Sequence, residues 1–122
     1  MKIMESAQNY LETIYMLQRK IGSVRSIDIA HELSFSKPSV SVAMKNLRQQ
    51  GYVCVDENGE ITLTKEGMEI AMSMYEKHTL IAKALMASGG CEETAYKDSC
   101  KIAHDISDES FEKIKDFIAK HQ

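Results

Sequence analysis

Much of what marks location or catalysis in other chains is missing from this one. Nowhere in its 122 residues is there a continuous apolar run long enough for a signal peptide or a membrane span; the start, MKIMESAQNYLETIYML, spreads its apolar residues around polar ones. A cytosolic protein is expected. The three cysteines, Cys54, Cys91 and Cys100, are an odd number with no CxxC pair, which argues against a disulfide framework and a zinc-ribbon knuckle and leaves room for one thiol with a specific job. The chain has no internal repeat, low-complexity segment or flexible linker, and no nucleophile with its base, phosphate loop or paired-acid motif. An enzyme is therefore the weakest candidate class.

What is present suffices for a core. A hydrophobic content of 43% excludes a fully disordered chain and suits one domain or two very small ones. The net charge of -3 is unevenly divided: residues 1–55 hold seven Lys or Arg against four Asp or Glu, and residues 56–122 hold eight against fourteen. A basic first half can meet phosphate, and an acidic second half repels its own carboxylates until something positive arrives. Ordinary solvated faces would give the same imbalance.

Met4, Ala7, Leu11, Ile14 and Leu17 recur at three- and four-residue steps, which predicts a first helix from about Met4 to Lys20, ending near Gly22. Ser26 is positioned to cap a short second helix, IDIAHEL. After SFS, Ser36 caps a third, KPSVSVAMKNLRQQ, with Pro38 in its first turn and Gly51 as its stop. The period then switches. YVCV and ITLT read as two strands joined by DENGE, whose Asn58-Gly59 pair is a strong hairpin signal. Thr64 opens a long helix, roughly Lys65 to Ala87, closed by Gly89 and Gly90, and two more follow at about Glu92 to His104 and Asp108 to Lys120. The expected fold is mainly α with a small β-hairpin wing: a winged helix-turn-helix domain over residues 1–64 and a helical domain over residues 65–122.

Helix, short helix, tight turn, helix and hairpin is the order of a winged helix-turn-helix, whose third helix enters the major groove of duplex DNA by its N-terminal end. Ser36, Lys37, Pro38, Ser39, Ser41, Val42 and Lys45 lie on or near the exposed early turns, whereas Val40, Ala43, Met44 and Leu47 fit a buried face. Hydroxyls and lysines can bond phosphates and base edges, and Val42 can touch a thymine methyl. The tip of the wing, DENGE, is acidic and makes a poor phosphate contact. Winged helices also serve as protein-interaction adaptors, a reading that the acidic tip and the negative net charge favour; salt-dependent binding to duplex DNA separates the two.

Outside this module lie residues of metal-ligand type. Asn9 and Glu12 are neighbours on one face of the first helix, His78 lies midway along the long helix, and Cys100 and His104 are four apart in CKIAHDIS. Each alone is ordinary, since a helical His is more often a hydrogen-bonded structural group than a ligand. Together they offer one thiolate, two imidazoles and a carboxylate, a donor set suited to Zn²⁺, Fe²⁺ or Co²⁺.

Nearly the whole chain resembles the diphtheria toxin repressor family of metal-dependent transcription factors, which includes the iron-dependent regulators and the manganese transport regulator. The likeness rests on NYLETIYML, on IDIAHELSFSKPSVSVAMKNLRQQGYV followed by ITLTKEG, on YEKHTLI and on YKDSCKIAHDIS. It implies a repressor that uses a divalent metal as co-repressor, binds a double-stranded operator and dimerises through its C-terminal helices, with metal uptake or efflux genes as targets. It also implies that Glu12, His78, Cys100 and His104 are ligands, with Asn9 where the manganese branch has Asp and the iron branch has Met. Two departures stand out: Ala103 occupies the place of a ligating Glu, and Ala82 and Tyr96 occupy positions that give the iron branch its ancillary site. A thiolate beside two imidazoles, with one carboxylate lost, favours Fe²⁺, Zn²⁺ or Co²⁺ over Mn²⁺. A winged-helix regulator that has lost metal control is the competing reading, and Asn9 and Ala103 speak for it.

Overall fold

The computed structural model describes residues 5–121. Its elements run α1 (Glu5–Ile21), α2 (Ser26–Leu33), α3 (Lys37–Gln49), β1 (Val53–Val55), β2 (Ile61–Leu63), α4 (Lys65–Ala87), α5 (Glu92–Asp105) and α6 (Asp108–Lys120). They form two compact units, Met1–Met72 and Ser73–Gln122, with the division falling inside α4. Met4, expected at the start of the first helix, lies outside the described residues.

In the first unit, Leu11, Ile14, Val24, Ile29, Val40 and Ile61 are almost wholly buried in one core. The three helices and the hairpin each supply at least one of them, so no element of this unit buries its apolar side alone. β1 and β2 pair antiparallel with Cys54 opposite Thr62, and the Ile61 N–H donates to the Val24 carbonyl at 2.7 Å, tying the wing to the loop after α1. At the wing's tip Asp56 Oδ1 accepts the N–H groups of Asn58 and Glu60, both at 2.9 Å. Gly59 turns there at φ +82, a left-handed conformation that glycine adopts without a Cβ penalty.

Helix starts explain where the elements begin. Ser36 caps α3: its hydroxyl accepts the Ser39 N–H at 3.3 Å and donates to the Ser39 hydroxyl at 2.8 Å. Thr64 does the same for α4, accepting the Gly67 N–H at 3.1 Å while donating to the Gly51 carbonyl at 2.7 Å. α2 departs from expectation, because Ser26 is its first helical residue rather than its cap. The cap is Arg25, whose backbone N–H donates to the Asp28 carboxylate at 2.9 Å. That bond satisfies the N-cap's own amide, half of a capping box, and an acidic side chain in the first turn also suits the positive end of the helix dipole.

The second unit holds the remainder of α4 with α5 and α6. Met74, Ile81, Ala95, Ala103 and Phe111 are buried. Two ion pairs connect α4 with α6: Lys77 with Asp108 at 2.8 Å and Glu76 with Lys115 at 2.7 Å. Ser107 caps α6 by accepting the Ser110 N–H at 3.1 Å. No helix among the described residues is long and apolar enough to cross a membrane.

Candidate metal centre and DNA interface

On α3, Val40, Met44 and Leu47 turn into the core, and the opposite side carries the residues expected to meet DNA. Ser36, Lys37, Pro38, Ser39, Ser41, Val42 and Lys45 are all exposed. Val42 is 60% exposed, which leaves its methyl groups open to a partner. The Ser36 and Ser39 hydroxyls bond each other, so they hold the start of the helix and leave Ser41, Val42 and Lys45 as its exposed side chains free of that task. At the wing tip, Asp56 and Glu57 are exposed, which keeps the tip unfavourable for phosphate.

The candidate metal ligands fall in both units. On α1, Glu12 is buried and Asn9 exposed. In the second unit, His78 on α4 and His104 on α5 are buried, at 3% and 5% exposure. The sequence separates Cys100 from His78 by 22 positions, and the fold brings the Cys100 Sγ to 3.3 Å from His78 Nε2 and 3.9 Å from Nδ1. A tetrahedral ion about 2.3 Å from sulfur and about 2.0 Å from nitrogen sets the two donors roughly 3.6 Å apart, close to the separation found. Cys100 and His104 are one helical turn apart on α5, so their side chains leave the same side of that helix. Among the described residues, no three His, Cys, Asp or Glu side chains are gathered closely enough to hold an ion. What the structure brings together is the thiol–imidazole pair.

Two of the departures noted in the sequence have defined surroundings in the second unit. Ala103, beside His104, is 2% exposed, so a methyl group packs where the family likeness implies a carboxylate. Tyr96, which the likeness places at an ancillary ligand position, instead lays its ring against the His78 imidazole, with centroids 4.3 Å apart at 62°. The four-residue steps Tyr96, Cys100, His104 along α5 were the available signal. What the step could not tell was which side chain of α4 would face Tyr96.

With this geometry in place, comparison with known proteins is direct. Residues 2–60 match the family described as iron dependent repressor, N-terminal DNA binding domain, and residues 64–122 match its metal binding and dimerisation domain. An uncharacterized HTH-type transcriptional regulator of Methanocaldococcus jannaschii is 33% identical over 95% of this chain and 94% of its own length. The transcriptional regulator MntR of Escherichia coli is 30% identical over 96% of this chain and 76% of its own. Among solved structures, the manganese regulator SloR superposes with a TM-score of 0.82 at 30% identity, covering 93% of this chain and 53% of that one. The chain thus spans about half the length of that solved relative. Two domain matches in sequence order, a winged-helix reader and the conserved overall fold make one conclusion: the chain belongs to the iron-dependent repressor family, metal-dependent DNA-binding transcriptional regulators rather than enzymes.

Proposed function

We propose that this protein is a cytoplasmic repressor of metal-ion homeostasis genes that takes a divalent transition metal as co-repressor and binds its operator as a homodimer. The observation that carries the metal part is the convergence of Cys100 and His78 at 3.3 Å. His104 is the third donor, and Glu12 with Asn9 on α1 are the donors that the family likeness assigns to the first helix. SloR is a manganese regulator by title, but a thiolate ligand moves preference towards Fe²⁺, Zn²⁺ or Co²⁺. When bound, the ion supplies positive charge and a fixed set of bond directions. Donors drawn from three helices then limit the arrangements available to the chain.

Residues 1–64 form the reader and residues 65–122 the metal-binding and dimerisation half. Ser36, Lys37, Pro38, Ser39, Ser41, Val42 and Lys45 make the duplex contacts. Two copies associate through the C-terminal helices, where Ile114 and Phe117 of α6 are exposed at 37% and 62%. A dimer must space its two α3 helices about one DNA turn, roughly 34 Å, to read both half-sites. If metal-free protein samples many spacings, its affinity falls by the fraction that is correct, and metal removes that loss. A regulator without metal control is the second reading, favoured by the buried Ala103.

Anaerobic titration of metal-free protein with Co²⁺, beside Cys100→Ser, tests the proposal. A thiolate charge-transfer band present in the wild type and absent from the variant, together with duplex binding that tightens on Co²⁺ addition, is the expected outcome. Duplex binding that is identical with and without Co²⁺, Zn²⁺ and Fe²⁺ selects the second reading.

A further inference from the structure

We propose that Tyr96 is a positioning residue for the metal pair: its ring restrains the plane of the His78 imidazole beside the Cys100 thiol. The proposal rests on the reading of His78 and Cys100 as ligands. The angle between the two ring planes and the centroid separation, 62° and 4.3 Å, are those of an edge-to-face aromatic contact. The burial is one-sided, because His78 is 3% exposed and Tyr96 is 49% exposed. Tyr96 is therefore not a core side chain, and its ring reaches a buried imidazole from the surface.

The physical reason lies in the terminal torsion of histidine. Rotation about χ2 is broad, so an imidazole without a packed neighbour sweeps its nitrogens through many directions. The Cys100 Sγ lies 3.3 Å from Nε2 and 3.9 Å from Nδ1, so the setting of the imidazole plane decides how both nitrogens meet the thiol. A ring packed against the imidazole narrows that range of planes before the ion arrives. Fixing a side chain in advance avoids an ordering cost worth up to about tenfold in affinity. Tyr96 and Cys100 are one turn apart on α5, so the helix that presents the thiol also presents the ring that orients its partner. The contact requires an aromatic ring and no hydroxyl.

Full-length Tyr96→Phe and Tyr96→Leu, compared with wild type, separate a ring from mere bulk. Anaerobic Co²⁺ titration should give Tyr96→Phe a dissociation constant within about twofold of wild type and Tyr96→Leu one about tenfold weaker, with the thiolate band reaching full intensity at saturation in all three. In the metal-free proteins, the ring-current shift of the His78 imidazole protons should persist in Tyr96→Phe and vanish in Tyr96→Leu. Thermal unfolding of the metal-free forms shows whether the leucine variant is folded; if it is not, Tyr96→Gln replaces it in the same comparison. Wild-type Co²⁺ affinity in Tyr96→Leu overturns the proposal, and so does equal weakening in Tyr96→Phe. A wild type that gives no thiolate band overturns the ligand reading itself, a result distinct from either.

Discussion

Lys77 Nζ lies 2.8 Å from Asp108 Oδ1, joining a cation whose side chain is 10% exposed to a carboxylate that is 90% exposed. The same ammonium sits 5.9 Å from the centroid of Phe111, the buried aromatic of α6. Most of the cost of drawing Lys77 out of water falls on α4, and Asp108 at the first position of α6 answers it. The hydrogen bond from Lys77, and then its charge, hold the Asp108 carboxyl below the ordinary carboxylate range.

Since folding lowers that pKa, its contribution is complete above the ordinary value, about 3.9, and fades as pH falls through the lower folded value. Asp108→Asn should therefore lower stability at pH 7 by no more than about 1 kcal/mol, the exposed carboxylate being well screened. Urea denaturation of both proteins at pH 7 and pH 3 checks the sign. The difference should shrink at the lower pH; a difference unchanged between the two would place the effect of Asp108 outside its charge.

Gly67 lies inside α4, where alanine would ordinarily stabilise by about 1 kcal/mol. Here a Cβ would run into the backbone carbonyl oxygen of Tyr52, a group fixed by the turn between α3 and β1. Overpacking of that kind costs roughly 1–3 kcal/mol, more where backbone must move, so the clash wins. Gly67→Ala should unfold at lower denaturant concentration than wild type. Greater stability would mean that the wing shifts freely against the start of α4.

Lys37 and Lys45 are exposed on α3 and its first turn. Lys37→Ala and Lys45→Ala should each weaken duplex binding across sequences and lower the slope of log affinity against log salt by about 1. Fluorescence anisotropy at several salt concentrations, with and without metal, measures both. Altered metal affinity with unchanged duplex affinity would show that the division of labour between the two halves is wrongly drawn.

Element order was legible because each signal was local. Thr64 announced α4 by its hydroxyl, Asn58-Gly59 announced the hairpin, and the Ser36 cap with Pro38 announced α3; each depends on residues within a few positions of each other. α2 shows the limit of the same logic. A serine at the right place suggested a cap, yet Asp28 reaches back to the Arg25 amide and moves the start by one residue. The thiol–imidazole pair proposed as metal ligands was legible only in part. Cys100 and His104 share a helical face by spacing alone, but the approach of Cys100 to His78 and the edge-to-face contact of Tyr96 with that imidazole depend on how α4 and α5 pack. Periodicity says which side of a helix is buried and leaves open which residue it will meet.

The hydroxyl pair at the start of α3 bears on how the protein searches a genome. Ser36 and Ser39 already satisfy one another and the Ser39 amide, so that end of the helix needs no ordering when it meets a duplex. A preformed reader can test each stretch of sequence during brief, loosely held encounters and move on, paying no folding entropy at every wrong site. Discrimination then falls to residence time at the right one, and in the proposed reading it is set by the side chains that the cap leaves uncommitted, Ser41, Val42 and Lys45.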